Sequence, residues 1–187
     1  IVRERISYKM AVPMEKAYLT GTGVQQPLGV FIASADGIST GRDVSTGNSS
    51  TAIGADGLIE TKHTLKSQYH QGASWIFHRD AVKQIRKLKL TDNQYIWQMG
   101  LTTDLPATIL ELPYRASEYA PNTFTTGLYV GILGNFKRGY WIVDAMNMEI
   151  QVLNELFALT NEVGYVARLE TDGAPVLEEA FARVKLA

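Results

Sequence analysis

The chain contains no cysteine among its 187 residues. Disulfide bonds, thiol catalysis and thiolate-bound metal sites are therefore excluded for this sequence. Acidic and basic residues nearly balance, giving a formal net charge of −1, so bulk charge does not draw the chain toward DNA or an anionic membrane. No apolar run approaches the roughly 20 residues that span a bilayer, and no signal-peptide pattern is present.

Motifs for catalysis or cofactor binding are also missing. His63, His70 and His78 form no HExxH or comparable metal-binding cluster. No serine lies in the Gly-x-Ser-x-Gly strand-to-helix context of a hydrolase, and no pair of acidic residues is singled out for acid–base chemistry. We therefore expect no catalytic residue, no cofactor and no metal ion.

The most informative segment that is present is the glycine-rich run Gly21–Gly29, with the sequence GTGVQQPLG. It follows a helix-like segment and precedes Val30–Ala33, which reads as a strand. A phosphate-binding loop has the opposite order, because it follows a strand and opens a helix whose N–H groups face the anion. The segment therefore predicts a sharp turn and excludes a nucleotide loop.

The N-terminal segment has helical periodicity. One predicted face carries Ile1, Ile6, Met10, Met14 and Leu19. Pro13 is expected to kink or interrupt this helix. Because the pattern begins at Ile1 without a cap or an initiator Met, we expect the chain to be a C-terminal fragment of a longer protein.

Short helices mixed with many strands predict an α+β fold. Residues 34–57 are poor in apolar residues and read as a mobile surface loop. Helices are predicted at 57–70, with Leu58, Leu65 and Tyr69 on an apolar face, and at 79–90, with Val82, Ile85 and Leu88 facing the core. Strands are predicted at 74–77, 95–97, 128–133, 139–144, 148–152, 163–169 and 181–186, with turns at 134–137 and 171–173.

Two groups of residues are candidates for contact with other subunits. The helix at 79–90 has a basic face opposite its apolar one. Tyr114, Tyr119 and Phe124 are expected in a loop near the predicted exposed turn Ala120–Asn122, and they fit an interface as well as a core. A simple solvated face is the alternative interpretation of the basic residues. The candidate interface residues are Arg79, Lys83, Arg86, Tyr114, Tyr119, Pro121, Asn122 and Phe124.

Three blocks, taken in order, resemble a known family. They are Tyr18–Gly29, the strand and helix between Ala73 and Trp97, and the tail motifs Val163–Arg168, Asp172-Gly173 and Glu179–Ala182. Together they resemble the major capsid proteins of tailed bacteriophages, the Hong Kong ninety-seven lineage. The resemblance implies an axial domain and a peripheral domain. It maps residues 1–33 to the end of the spine helix and its exit, 34–147 to the axial domain, and 148–187 to the return of the chain into the peripheral sheet.

The resemblance also implies a structural protein that assembles with identical subunits into hexamers and pentamers of an icosahedral shell around DNA. Scaffolding, portal and prohead protease proteins are the further partners that it implies, with packaged DNA bound non-specifically and no membrane contact. The expected location is the virion, and the host cytoplasm before assembly. An encapsulin-like nanocompartment shell, or a small α+β enzyme or ligand-binding domain, remains an alternative at this point.

Overall fold

Four helices lie in the part of the chain that the computed structural model describes, namely residues 2–89, 108–153, 155–156, 158–160 and 162–187. Three of them fall in the predicted helical segments, although the helices predicted at 57–70 and 79–90 end earlier than expected. The helices are α1 (Val2–Thr20), α2 (Ala55–Thr64), α3 (Arg79–Arg86) and α4 (Phe136–Gly139), with 3₁₀ turns at Thr40–Arg42, Ser67–Tyr69, Ala158–Thr160 and Glu178–Ala180.

The strands form two separate sheets. The larger contains β1 (Asp43–Val44), β2 (Ser74–Phe77), β3 (Thr108–Ile109), β4 (Leu112–Ala116), β5 (Tyr129–Gly134) and β8 (Phe181–Lys185), in the order β1-β8-β5-β2-β4-β3. Within it, β1–β8 and β2–β4 are parallel and the other pairs are antiparallel. The smaller sheet pairs β6 (Tyr140–Leu153) with β7 (Gly164–Pro175). We call residues 140–175 the ribbon.

The core lies around the central strands of the six-stranded sheet. Trp75 and Phe77 on β2 are fully buried and stack with ring centroids 5.4 Å apart. The indole N–H of Trp75 donates to the carbonyl of Ile109 at 3.0 Å, so this polar group is satisfied inside the core. The apolar faces predicted for α2 and α3 are confirmed, because Leu58 and Val82 are buried with their helical neighbours.

A buried ion pair ties the edge strand β1 to β8. Arg183 is 0% exposed. Its Nε donates to Oδ1 of Asp43 at 2.8 Å and its Nη2 to the carbonyl of Ser39 at 2.8 Å. The hydroxyl of Tyr129 donates to the other carboxylate oxygen at 2.9 Å, and burial raises the pKa of this phenol. Lys185 lies 3.6 Å from the same oxygen. Asp43 therefore holds three neighbouring side chains at one edge of the sheet.

The glycine-rich segment makes the predicted sharp turn and also caps α1. The chain reverses at Gly21–Gly29, and the N–H groups of Val30 and Phe31 donate to the carbonyls of Tyr18 and Leu19 at 3.1 and 3.0 Å. These carbonyls lie in the last turn of a helix, where backbone acceptors lack helical partners. Because Val30 and Phe31 bond to the helix end, the predicted strand Val30–Ala33 is wrong. The two residues are buried in a turn instead.

The same turn joins α1 to the ribbon, and we call these contacts the junction. The N–H of Leu28 donates to the carbonyl of Gly173 at 2.7 Å, and the hydroxyl of Tyr140 donates to the carbonyl of Leu28 at 3.0 Å. The hydroxyls of Tyr18 and Thr171 are 2.8 Å apart. The rings of Tyr18 and Tyr140 meet edge to face, and burial raises the pKa of Tyr140 far above its ordinary value.

Four other expectations about the chain path do not hold as stated. Pro13 does not interrupt α1, because it lies on the exposed side of the helix, where water can bond the freed carbonyl. The segment 34–57 is not simply a loop, because it contains a 3₁₀ turn, β1 and the start of α2. Residues 171–173 are part of β7 and pair with β6 rather than forming a turn. The predicted strands 139–144 and 148–152 are one continuous strand, β6.

Two strands can be compared with the domain limits mapped from the resemblance. The limit between residues 147 and 148 falls inside β6. Strand β8, at the end of the chain, lies in the same sheet as β1, β2 and β5. The predicted strand at 95–97 lies outside the described residues.

Replacing Asp43 by Ala is expected to lower the free energy of unfolding by about 3–5 kcal/mol, because the buried guanidinium of Arg183 loses its counter-ion. Urea denaturation measures this change. The control is Asp36→Ala, which removes an exposed carboxylate from a nearby turn. Equal effects of the two substitutions would contradict a stabilising role for the ion pair.

Gly21→Ala is expected to destabilise the chain by about 1–3 kcal/mol through overpacking. A Cβ atom at this position would lie 2.2 Å from the carbonyl oxygen of Pro27 and 2.5 Å from that of Ala17. Thermal unfolding followed by circular dichroism tests this. Gly41→Ala is the matched control, because its Cβ would meet only the Ser39 hydroxyl at 3.4 Å. A Gly21 variant as stable as the control would show that the turn can relax.

Candidate subunit interface

The three predicted basic residues of α3 lie on its exposed side. Arg79, Lys83 and Arg86 are exposed, whereas Val82 and Ile85 face the core. The Nε of Arg79 lies 3.4 Å from a carboxylate oxygen of Glu118. This arrangement follows from the helical period, which separates the charged stripe from the buried one.

Four of the five predicted loop residues are partly covered by their own chain. Tyr114, Tyr119 and Phe124 are half-buried and pack against the core, and Pro121 is also half-buried. Asn122 is exposed, as expected for a turn. Ala120 is buried, so the predicted exposed turn at 120–122 is exposed only at its end.

Tyr114 lies in a strand rather than in a loop, which corrects its expected placement. It belongs to β4 and is the register partner of Trp75 on β2. From this strand its hydroxyl accepts a hydrogen bond from Nη2 of Arg86 at 2.8 Å. The structure therefore brings α3 and the neighbouring strand into one polar and aromatic surface, and Glu118 extends it through Arg79.

Two of the three histidines form hydrogen bonds with the backbone of their own chain. His78 is buried, and its Nδ1 accepts the backbone N–H of Asp80 at 3.2 Å, which caps the start of α3. A ring nitrogen of His70 is 2.9 Å from the carbonyl of Leu65, and His63 is exposed. Among the residues that the structure describes, no group of three or more His, Asp or Glu side chains is arranged to hold a metal ion.

A cavity lies between α1, β4 and the ribbon. Its volume is about 650 Å³, and its lining includes Met10, Met14, Ile76 and Leu169. The carboxylate of Glu15, also in the lining, accepts a hydrogen bond from the Ser117 hydroxyl. A mainly methionine and aliphatic lining provides little acid–base chemistry, and it suits packing better than catalysis.

The ribbon exposes apolar residues that the sequence analysis did not single out. Trp141 is 61% exposed, and Val143 is exposed on the same face of β6. Their register partners are Ala174 and Asp172 on β7. The sequence signal for these exposed residues is the run Tyr140–Val143, because four consecutive apolar residues make both faces of a strand apolar. A tryptophan is more often in a core, and Trp75 follows that rule whereas Trp141 does not.

Described residues of the turn between β6 and β7 are exposed as well. They include the apolar residues Leu156, Leu159 and Val163 and the acidic residues Glu155 and Glu162. We call these five residues the ribbon tip. Leu159 is completely exposed. Among the helices that the structure describes, none combines the length and apolar character needed to cross a bilayer.

Comparisons with known proteins agree with the resemblance found in the sequence. The backbone is similar to the capsid of an empty GTA particle, with a TM-score of 0.83 and 22% identity over 100% of this chain and 65% of that one. The native GTA capsid gives the same score and identity, with 64% of that chain covered. A chain of Gordonia phage Cozz has a TM-score of 0.65 and 14% identity, over 100% of this chain and 62% of that one.

The chain thus spans slightly less than two thirds of the length of the solved capsid chains that it matches. No curated protein matched the sequence. The mixed helix and sheet architecture confirms the predicted α+β capsid-like fold. The family match extends over residues 1–186, and the chain therefore belongs to the phage capsid family.

Proposed function

We propose that the chain is part of a major capsid subunit, a structural protein that assembles with identical copies into the shell of a phage or GTA-like particle. Family membership and the capsid-like fold support this function. We propose the virion as its location and the host cytoplasm as its location before assembly. In this proposal the copies form hexamers and pentamers of a shell around packaged DNA, and scaffolding, portal and protease proteins are further partners.

The observation that carries the proposal is the concentration of exposed apolar residues in the ribbon. Ten of the seventeen large apolar side chains that are exposed among the described residues lie between positions 141 and 165, a short part of the chain. Such a concentration of exposed apolar side chains indicates an interaction surface, because leaving apolar groups in water is unfavourable. The ten residues are Trp141, Ile142, Val143, Met146, Met148, Val152, Leu156, Leu159, Val163 and Tyr165.

A two-stranded ribbon also needs more support than its own hydrogen bonds provide. Isolated two-stranded hairpins are marginally stable in water. One side of the ribbon faces α1, and Trp141 and Val143 on the opposite face remain exposed. A neighbouring subunit that covered this outer face would bury apolar area and rigidify the ribbon at the same time. Assembly would therefore stabilise the folded ribbon.

The division into domains follows the two sheets in this proposal. We assign the six-stranded sheet with α2 and α3 to the axial domain, and α1 with the ribbon to the peripheral domain. This assignment moves β8 from the peripheral to the axial domain, because it pairs with β1 and β5. The junction would then connect the two domains within one subunit.

The proposal predicts that Trp141→Ser reduces the assembled fraction of the full-length gene product by at least about tenfold, since truncating a central interface tryptophan costs about 2 kcal/mol or more. Negative-stain microscopy and sedimentation measure the assembled fraction. The control is Val24→Ser, which replaces another well exposed apolar residue that lies outside the ribbon.

Assembly should also shift the fluorescence of Trp141 to shorter wavelength, because the indole leaves water. The difference between the parent and a Trp141→Phe variant isolates this signal from the buried Trp75. Full-length protein that remains a dispersed monomer under all assembly conditions would contradict the proposed function.

A further inference from the structure

Two exposed surfaces of the chain carry opposite charges. The ribbon contains six carboxylates and one guanidinium, that of Arg168, which gives a formal charge of −5. Residues 79–89, α3 and the three residues after it, contain five cations and one carboxylate, that of Asp80, which gives +4. The chain as a whole has a charge of only −1. Positive and negative charges are therefore nearly equal in number but concentrated in different segments.

The ribbon tip combines acidic and apolar character. Glu155 and Glu162 are exposed, and neither forms an ion pair with any residue that the structure describes. Leu156 and Leu159 are at least two-thirds exposed beside them. A partner surface that complements this tip must provide cations together with apolar atoms.

The outer side of α3 provides both. Lys83 and Lys87 are exposed and form no ion pair within the described part of the chain. Lysine side chains carry long aliphatic stems that cover apolar groups while the ammonium stays in water. The half-buried ring of Tyr114, bonded to Arg86, adds aromatic surface at the edge of this group. We call Lys83, Arg86, Lys87 and Tyr114 the α3 surface.

We propose that the ribbon tip of one copy docks on the α3 surface of a neighbouring copy. This inference rests on the proposed function, because it identifies the partner surface of a self-assembling subunit. The two surfaces differ, so the contact is heterologous, and repeating it around a rotation axis closes a ring of subunits. Charge complementarity guides the encounter and fixes the register, while the leucines supply apolar burial.

A nucleic acid is the other polyanion that could bind the α3 surface. The surroundings favour a protein partner. The carboxylate of Glu118 is exposed and lies 3.4 Å from Arg79, and Asp80 is exposed on the same helix. Carboxylates beside a basic surface repel a phosphate backbone, whose density of charge is high. A protein partner can instead place two carboxylates at chosen positions and leave the acidic neighbours in solvent.

A charge-reversal cycle in the full-length gene product tests the inference. The first variant carries Lys83→Glu and Lys87→Glu, the second Glu155→Lys and Glu162→Lys, and the third all four substitutions. Each double variant is expected to lower the assembled fraction at least about tenfold, because like charges then face each other across the contact. The fourfold variant is expected to recover assembly to within about threefold of the parent, since the complementarity is restored in reverse.

Controls separate this effect from folding and from DNA binding. Lys83→Arg with Lys87→Arg keeps the charges and should assemble like the parent, and circular dichroism should show the same thermal unfolding for all variants. Normal assembly of both double variants, or a defect that the fourfold variant does not repair, would overturn the inference while the shell function stands. If the variant with Lys83→Glu and Lys87→Glu forms normal shells that lose DNA, the inference is overturned in favour of nucleic-acid binding. Failure of the parent to assemble would instead refute the proposed function.

Discussion

The arrangement of this molecule depends on the junction, where the turn after α1 is held between the helix end and the ribbon. The bond from the N–H of Leu28 to the carbonyl of Gly173 joins two segments that are far apart in sequence. A Cβ atom at Gly173 would lie 2.9 Å from the Tyr140 side chain and 3.1 Å from that of Tyr18, so a larger residue here would require both tyrosines to shift. The orientation of the ribbon relative to the rest of the subunit is fixed at this point.

From the junction, the two parts of the chain acquire different properties. The six-stranded sheet buries most residues of β5 and β8, and the ion pair of Asp43 and Arg183 attaches the edge strand β1 to β8. The ribbon has one supported face and leaves apolar residues such as Trp141 in water. A subunit with a well-buried sheet, here called the body, and an incompletely buried ribbon is suited to assembly into a shell, because a neighbour can cover the exposed apolar residues. Under the proposed function, the ribbon gains its remaining contacts from a neighbouring subunit.

Much of the body could be predicted from the sequence because its signals are local. The apolar run Ser74–Phe77 with polar residues after it became β2, and the helical periodicity of Val82 and Ile85 placed the buried face of α3. The ribbon could not be predicted in the same way. Asp172-Gly173 has the composition of a turn, yet it pairs with Val143 and Ile142 in a long strand. Long-range pairing and the contacts of the junction override local preference there. The candidate residues Arg79 and Lys83 are on an exposed face as the period indicates. Tyr114, expected in a loop because it lies near Pro121, belongs instead to strand β4.

The central claim is that this chain acts through surfaces that identical neighbours cover. Hydrogen exchange of the full-length protein, compared between dispersed subunits and assembled particles, tests it most directly. We expect amides of the ribbon, from Tyr140 to Ala174, to exchange at least about tenfold more slowly in the particle, while amides of the buried strand β5 change little. Ribbon amides that exchange at the same rate in both states would contradict the claim.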